Sequence, residues 1–478
     1  MKIEMKLPQT FTRPAPFAFQ LILASLLALT FSGCVHYRPQ PISAEKDVSE
    51  FQQRSLADTG LKAFLETNRV TGEWPRQAWD LNTLSLAALY FHPDLDAARA
   101  RWAVAEAGKV TAGQRPNPTV SASLAYNTTT TIPSPWIVSA SLAVPVETAG
   151  KRGKRIAQAR HLSEAAHLGI AATAWEVRAR LRRALLELWS AQEAGAALAA
   201  QHAAQQEVVR LLEAQRDAGA VTLTEVTRER IALEQTRVVL LEAQNRSVAA
   251  RVQLATAIGV PSHALDGMKI SFEAFTRPPR ELPGAEARRG ALLNRADVLA
   301  SLAEYAASES ALQLEIAKQY PDVHLNPGYE YDQGDNKWGV GLSIELPVLH
   351  HHRGPIAEAE ARRREQAAKF NSLQARVLGE IEIALAGYDT ARAKLGAAAT
   401  VLEQLDKQER LTQGMFEAGE VSRQAVAAAR VERTSSALSQ LDARFKAQEA
   451  LGQLENALQT PAELMPSAEQ SPRPQNPE

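Results

Sequence analysis

The chain has 478 residues, a formal net charge of -1 and 6% aromatic side chains. That balance excludes a broad basic field for nucleic acid, and a single cysteine, Cys34, excludes any internal disulfide. Ala, Leu, Glu, Gln and Arg dominate, which is the composition of long helices.

Residues 1–33 read as a secretory signal peptide. Lys2, Lys6 and Arg13 precede the apolar run Phe17 to Phe31, which Gln20 interrupts and which is too short to span a bilayer. Ser32-Gly33 directly before Cys34 resembles a bacterial lipoprotein processing site, with Phe31 standing where an aliphatic residue is usual. Cys34 is therefore the lipidation candidate, and residues 34–80 read as an N-terminal lipidated segment. Residues 35–75 are polar and mixed and carry no firm secondary-structure signal. From Asp47 onward no apolar run reaches about 18 residues, so any membrane crossing by the mature chain has to use strands.

A helical pattern runs from Leu81 to Gly113, interrupted or capped at His92-Pro93-Asp94. Thr119 to Tyr126 then alternates, with Val120, Ala122, Leu124 and Tyr126 opposite Thr119, Ser121 and Ser123. After the polar loop Asn127 to Pro135, Trp136, Val138, Ala140, Leu142 and Val144 alternate with Ser139 and Ser141, stopping at Pro145. Gly150-Lys151-Arg152-Gly153-Lys154-Arg155 leads into a nearly unbroken helical pattern to Ala218, striped by Val177, Leu181, Leu185 and Leu188. Gly219 breaks it. A second helix runs from Thr222 to Ile258, and residues 261–288 form a proline-containing connector.

The second half repeats the first. Asp94-Leu95 pairs with Asp297-Val298 and Pro118 with Pro321, each 203 positions apart. Trp136 and Pro145 pair with Trp338 and Pro347 at 202, and Ala218-Gly219-Ala220-Val221 with Ala418-Gly419-Glu420-Val421 at 200. The repeats occupy residues 81–260 and 289–460. In the second, Val323, Leu325, Tyr329 and Tyr331 share one face. The turn Asp332 to Lys337 follows, and Trp338, Val340, Leu342, Ile344 and Leu346 share a face after it. The tail, residues 461–478, is rich in Pro, Ser, Glu and Gln and reads as disordered.

Period-2 alternation over about ten residues suits a membrane strand with one face to lipid and one to water. Four strands are too few to close a barrel, and an unpaired edge in hydrocarbon costs several kcal/mol per orphan group. Three protomers give twelve strands. The expected fold is mixed, mainly α: a trimeric twelve-stranded β-barrel continued by an α-helical coiled-coil tunnel. Tyr126, Trp136, Tyr331 and Trp338 are expected at one membrane level as an interfacial girdle.

These landmarks resemble the TolC-like outer-membrane efflux proteins, and among them the CzcC-like components of metal-cation efflux systems. The resemblance rests on Trp136 through Ala159, on the two Ala-Gly-x-Val turns, and on Asn294-Arg295-Ala296-Asp297, and it covers residues 80–460. It implies a homotrimer in the lipid of the outer membrane of a Gram-negative bacterium, reaching into the periplasm. It further implies tips at Gly219, Val221, Gly419 and Val421 that meet a periplasmic membrane-fusion adaptor protein, linked to an inner-membrane pump of the resistance-nodulation-division class. In the family an acidic residue six places after the tip glycine often lines the gate; Glu225 stands there in the first repeat, but Ala425 in the second.

His350-His351-His352 is the one cluster that looks like metal ligation, but a polar strand-to-helix linker accounts for it better, since adjacent histidines point in different directions and no Cys or carboxylate spacing completes a site. Lys151 to Arg155 reads either as a contact for lipid headgroups or the tunnel mouth, or as solvated charge opening a helix. Asp217, Glu225, Glu417 and Glu420 gather at the expected tips. No phosphate-cradling loop, HExxH motif or nucleophile elbow is present, so the chain is expected to be no enzyme and to need no cofactor. The reading is an exit duct for heavy-metal cations; its alternatives are the duct of a drug or type I protein exporter and a periplasmic coiled-coil scaffold lipoprotein.

Overall fold

The computed structural model describes residues 36–129, 134–276 and 285–462. The signal peptide, Cys34, the middle of the connector and nearly all of the tail lie outside them. The chain divides after Gln53. Before that division, α1 (Ala44–Gln52) is capped by Ser43, whose hydroxyl accepts from the Lys46 amide, and buries no residue.

The second unit begins with α2 (Thr59–Thr67), β1 (Ala78–Trp79), α3 (Leu81–Phe91) and α4 (Pro93–Gly113). Two strands follow, β2 (Thr119–Tyr126) and β3 (Trp136–Val146), then the long helices α5 (Lys151–Asp217) and α6 (Leu223–Ile258). The connector holds β4 (Lys269–Ile270), paired in parallel with β1. The second repeat supplies α7 (Ala285–Asn294), α8 (Ala296–Ala317), β5 (Val323–Asp332), β6 (Asp335–Ile344), α9 (Arg353–Glu417) and α10 (Arg423–Leu458). At 1.5 Å per residue, the 67 residues of α5 extend roughly 100 Å.

Residues 35–75 therefore hold two helices that the sequence did not announce. A nine-residue helix such as α2 is not stable by propensity alone. Leu61 and Leu65 hold it, buried in the same core as Trp79 and Leu84. Residues from Arg54 onward fall in the same compact unit as the long helices. The connector is likewise part of the core, because Phe275 is buried against Trp189.

The apolar stripe explains the packing. Val177, Leu181, Leu185 and Leu188 of α5 are all buried, with Ala250, Leu254 and Ile258 of α6. The same positions recur in the second repeat as Val377, Ile381, Tyr388, Ala450, Leu454 and Leu458. Packing runs α6 on α5, α5 on α10, and α10 on α9. Gly259 (φ +91°) closes α6 against the end of α3; a Cβ there would lie 2.8 Å from the Phe91 carbonyl oxygen. The αL backbone and the missing side chain are both required.

A buried ionic cluster joins the repeats. Glu455 of α10 places Oε2 2.8 Å from Arg178 Nη1 and 3.2 Å from Arg182 Nε, both on α5. Arg182 also donates to the Gln448 carbonyl at 2.7 Å and to its Oε1 at 3.0 Å. Gln448 donates in turn to the Phe275 carbonyl at 3.2 Å. One carboxylate thus serves two guanidinium groups away from water. Removing the anion leaves buried positive charge, so Glu455→Ala is expected to cost about 3–5 kcal/mol. Thermal unfolding of the purified protein checks this; an unchanged midpoint contradicts it.

Candidate functional site

The four long strands form one antiparallel sheet in the order β2-β3-β5-β6, leaving β2 and β6 as edges. Opposed residues share a face. The register pairs Val120 with Leu142, Ala140 with Tyr329, Val138 with Tyr331, Tyr329 with Trp338, and Leu325 with Leu342. All four apolar rows read from the sequence therefore fall on one face. The other face carries Ser121, Ser123, Ser139, Ser141, His324, Asn326, Glu330 and Lys337. Trp338 and Val340 are 83% and 77% exposed, with nothing among the described residues covering them.

Two details differ from the sequence reading. The second hairpin turns at Gln333-Gly334, both at positive φ, and β6 ends at Ile344 rather than Leu346. A two-residue turn accounts for the earlier start of β6, since such turns demand φ > 0 at both central positions. Tyr126 does face Trp136, with ring centroids 5.0 Å apart. Trp338 instead stacks on Tyr329 at 4.8 Å, two rungs nearer the helices than Tyr331. The aromatic residues thus gather at the hairpin end without sharing one hydrogen-bonded row.

Every strand reaches the helices from the opposite end, and there the Gly-Lys-Arg segment does its work. Lys151 is buried and donates from Nζ to Asp322 Oδ1 at 2.7 Å; Asp322 also accepts from the Thr148 amide at 2.9 Å. Arg152 donates to the Gly113 carbonyl at 2.6 Å, and Arg155 pairs with Glu147 and donates to the Gln114 carbonyl at 3.2 Å. Lys151 is buried in these contacts, while Arg152 stays exposed beside its carbonyl partner. They tie the end of α4, the end of β3 and the start of β5 to the first turns of α5. Burial pushes the Asp322 carboxyl up, but the Lys151 ammonium and the Thr148 amide outweigh it and hold it below the usual aspartate value.

In the second repeat His352 fills the αL position that Gly150 fills in the first, at φ +56° against +68°. Its Nε2 lies 2.7 Å from Glu315 Oε2, and Lys318 pairs with the same carboxylate at 2.7 Å. His350 and His351 are exposed and do not join it. Among the described residues no group of three or more His, Cys, Asp or Glu could hold a metal ion.

The two turns at the far ends of the long helices are near copies. Gly219 (φ +73°) donates to the Arg216 carbonyl and Ala220 to that of Gln215, both at 2.8 Å. Gly419 (φ +78°) and Glu420 repeat these bonds to Phe416 and Met415 at 3.0 and 2.9 Å. Both are Schellman closures, which favour glycine at the αL position. Val221 packs against the buried Val208, Leu212, Val226 and Ala427, and Val421 is half-buried. Glu225 is committed to a capping box: its carboxylate accepts from the Thr222 amide at 2.9 Å. Ser422 caps α10 through the Ala425 amide alone. The Glu225/Ala425 difference is thus a difference between a capping box and a simple cap.

Residues 84–260 and 288–459, well over half of the chain, match the family described as outer membrane efflux protein. The chain belongs to that family. Membership places it in the outer membrane, among efflux proteins rather than enzymes. A relative from Cupriavidus metallidurans, the cobalt-zinc-cadmium resistance protein CzcC, is 27% identical over 46% of this chain and 52% of its own. The chain thus spans about half the length of the curated relative it matches. Its fold is that of VceC from Vibrio cholerae (TM-score 0.64, 22% identity, 80% of this chain and 96% of that one). The outer membrane channel CmeC from Campylobacter jejuni is similar as well (TM-score 0.64, 18% identity, 79% and 85%).

Asp322, Asp297 and Glu315 all titrate below the ordinary carboxylate range, because Lys151, Arg295 and the Lys318–His352 pair outweigh the burial that pushes each one up. Depressed values contribute stability above the unfolded pKa of about 4 and lose it as pH falls through the folded value. Thermal midpoints of this efflux protein are expected to stay level from pH 7 to about pH 5 and to fall below it. Lys151→Met should lower the neutral midpoint by the equivalent of about 1–3 kcal/mol and flatten the acid limb. A variant with the wild-type acid profile speaks against the clamp.

Proposed function

We propose that this chain is the outer-membrane exit duct of a tripartite efflux system, passive itself and assembled as a homotrimer. One observation carries the reading: the chain presents two open arrays. Its sheet has an apolar face, a polar face and two unpaired edges. Its helical wall ends in α6 and α9, where Ile231, Val238, Leu241, Val248 and Val252 recur at heptad spacing on α6, exposed, and Ile383, Val401 and Leu411 stand exposed on α9. Three copies side by side complete both arrays at once, giving a twelve-stranded barrel above a hollow coiled-coil cylinder. A scaffold with soluble hairpins leaves the apolar face of the sheet unexplained.

The matched turns at Gly219 and Gly419, at the ends farthest from the sheet, are the surfaces for a periplasmic adaptor, and the adaptor leads to a resistance-nodulation-division pump. Metal cations are the favoured cargo, on the resistance that the Cupriavidus relative's name records. Organic compounds are the second cargo class, since the described residues offer no cluster that selects a metal. Selectivity then resides in the pump. Cys34 is the lipid attachment point in this reading.

The decisive experiment is a sensitivity panel on a deletion strain, with zinc, cobalt, cadmium, nickel, copper and silver beside dyes, detergents and antibiotics. Sensitivity confined to metals supports the metal branch, and sensitivity confined to organic compounds removes it. Leu142→Arg and Leu342→Arg place charge on the apolar face. Each should cost about 2–4 kcal/mol near the midplane and reduce the heat-modifiable trimer band; full trimer yield from both contradicts the assignment of faces.

A further inference from the structure

The apolar face of β6 does not stop where the strand stops. Trp338, Val340, Leu342 and Ile344 alternate along it, and Leu346 keeps the same parity beyond its end, just before the chain turns at Pro347. Leu346, Val348 and Leu349 are 72%, 75% and 95% exposed. His350, His351 and Arg353 follow at once, all exposed. On the neighbouring strand's lead-in, three residues before Val323, Tyr320 is 61% exposed. The first repeat differs: Val146 is 43% exposed at the position of Val348, but the charged groups after it are drawn into the clamp of Lys151, Arg155, Asp322 and Glu147.

Length shows why the extension matters. The apolar band of an outer-membrane barrel is about 25 Å tall and its strands tilt by about 40°. From Trp338 to Ile344 is six steps, roughly 20 Å along the strand at 3.3 Å per residue and about 15 Å of height after tilt. β3 by contrast carries its apolar face from Trp136 to Val146, ten steps and about 25 Å of height. Leu346 brings β6 toward the same length, and the chain then turns at Pro347, where the Val348 amide donates to the Leu346 carbonyl at 2.8 Å. The segment then places apolar side chains where acyl chains begin and imidazole, guanidinium and phenol groups where phosphate and glycerol lie, the arrangement of an interfacial belt.

We propose that residues 346–353, with Tyr320, form an anchor in the periplasmic leaflet of the outer membrane. Val348 and Leu349 enter the acyl boundary, while His350, His351 and Arg353 donate to phospholipid phosphate oxygens. The proposal rests on the membrane reading of the sheet. It adds a lipid contact below the barrel, contributed by the second repeat alone and so three times per trimer. With the hairpin-end aromatics it fixes the sheet's height in the bilayer from both sides.

The test is depth-dependent quenching. Cys34, the only cysteine in the sequence, is replaced by serine in the full chain. Leu349→Cys, Val340→Cys and Leu411→Cys are each labelled with an environment-sensitive fluorophore. The trimers are reconstituted in vesicles of phosphatidylethanolamine and phosphatidylglycerol carrying nitroxide lipids, shallow or deep. The anchor requires stronger quenching at position 349 by the shallow nitroxide than by the deep one, deep quenching at 340, and none at 411. Position 349 unquenched while 340 is quenched overturns the anchor and leaves the barrel standing; a neighbouring copy then covers the segment. Deep quenching at 349 also overturns the anchor, placing the segment inside the acyl region. No quenching at 340 removes the membrane reading of the sheet, and the anchor with it.

Discussion

A strand that enters hydrocarbon takes its backbone amides and carbonyls with it, and each must find a partner there. The sheet meets this requirement along three ladders and leaves it open along the outer edges of β2 and β6. The rest of the molecule is consistent with that deficit being made up by further copies. Apolar residues occupy one face across all four strands. The helices below repeat the pattern of an unfinished wall. A soluble protein with the same sheet would have to cover an exposed apolar surface and blunt two long edges; the described residues of this chain do neither.

Internal duplication supplies two strands and four long-axis packing positions at a time, and the core preserves it almost position by position. The copies differ at their junctions between sheet and helices. The first junction is closed by buried ionic and backbone contacts, Lys151 with Asp322 and Arg152 with the Gly113 carbonyl. The second leaves apolar and cationic groups exposed, with His352 held by Glu315. One repeat thus sets the rigid angle between sheet and helices, and the other is free to meet its surroundings.

Much of this was legible in the sequence, for physical reasons that vary by residue. Strict alternation gave the ends of β2 at Thr119 and Tyr126, because a period of two admits a single assignment of faces. Val177, Leu181, Leu185 and Leu188 announced the core through their helical spacing. What stayed hidden depends on distant partners. Lys151 looked like solvated charge because its acceptor, Asp322, lies 171 positions away. α2 is too short to signal itself, and its leucines matter only against Trp79 and Leu84. Glu225 also closes a capping box, and that spacing from Thr222 was visible three residues upstream. That signal could have been read.

The cluster of Arg178, Arg182 and Glu455 bears on the order in which the chain matures. Its cations lie in the first long helix, and the anion that makes their burial tolerable lies 277 positions later, near the end of the last helix. Until that helix has arrived, the first repeat holds two guanidinium groups that cannot leave water, and its core has no means of closing around them. Folding is therefore coupled to completion. Closure of the first repeat's core around these cations thus waits on the last helix.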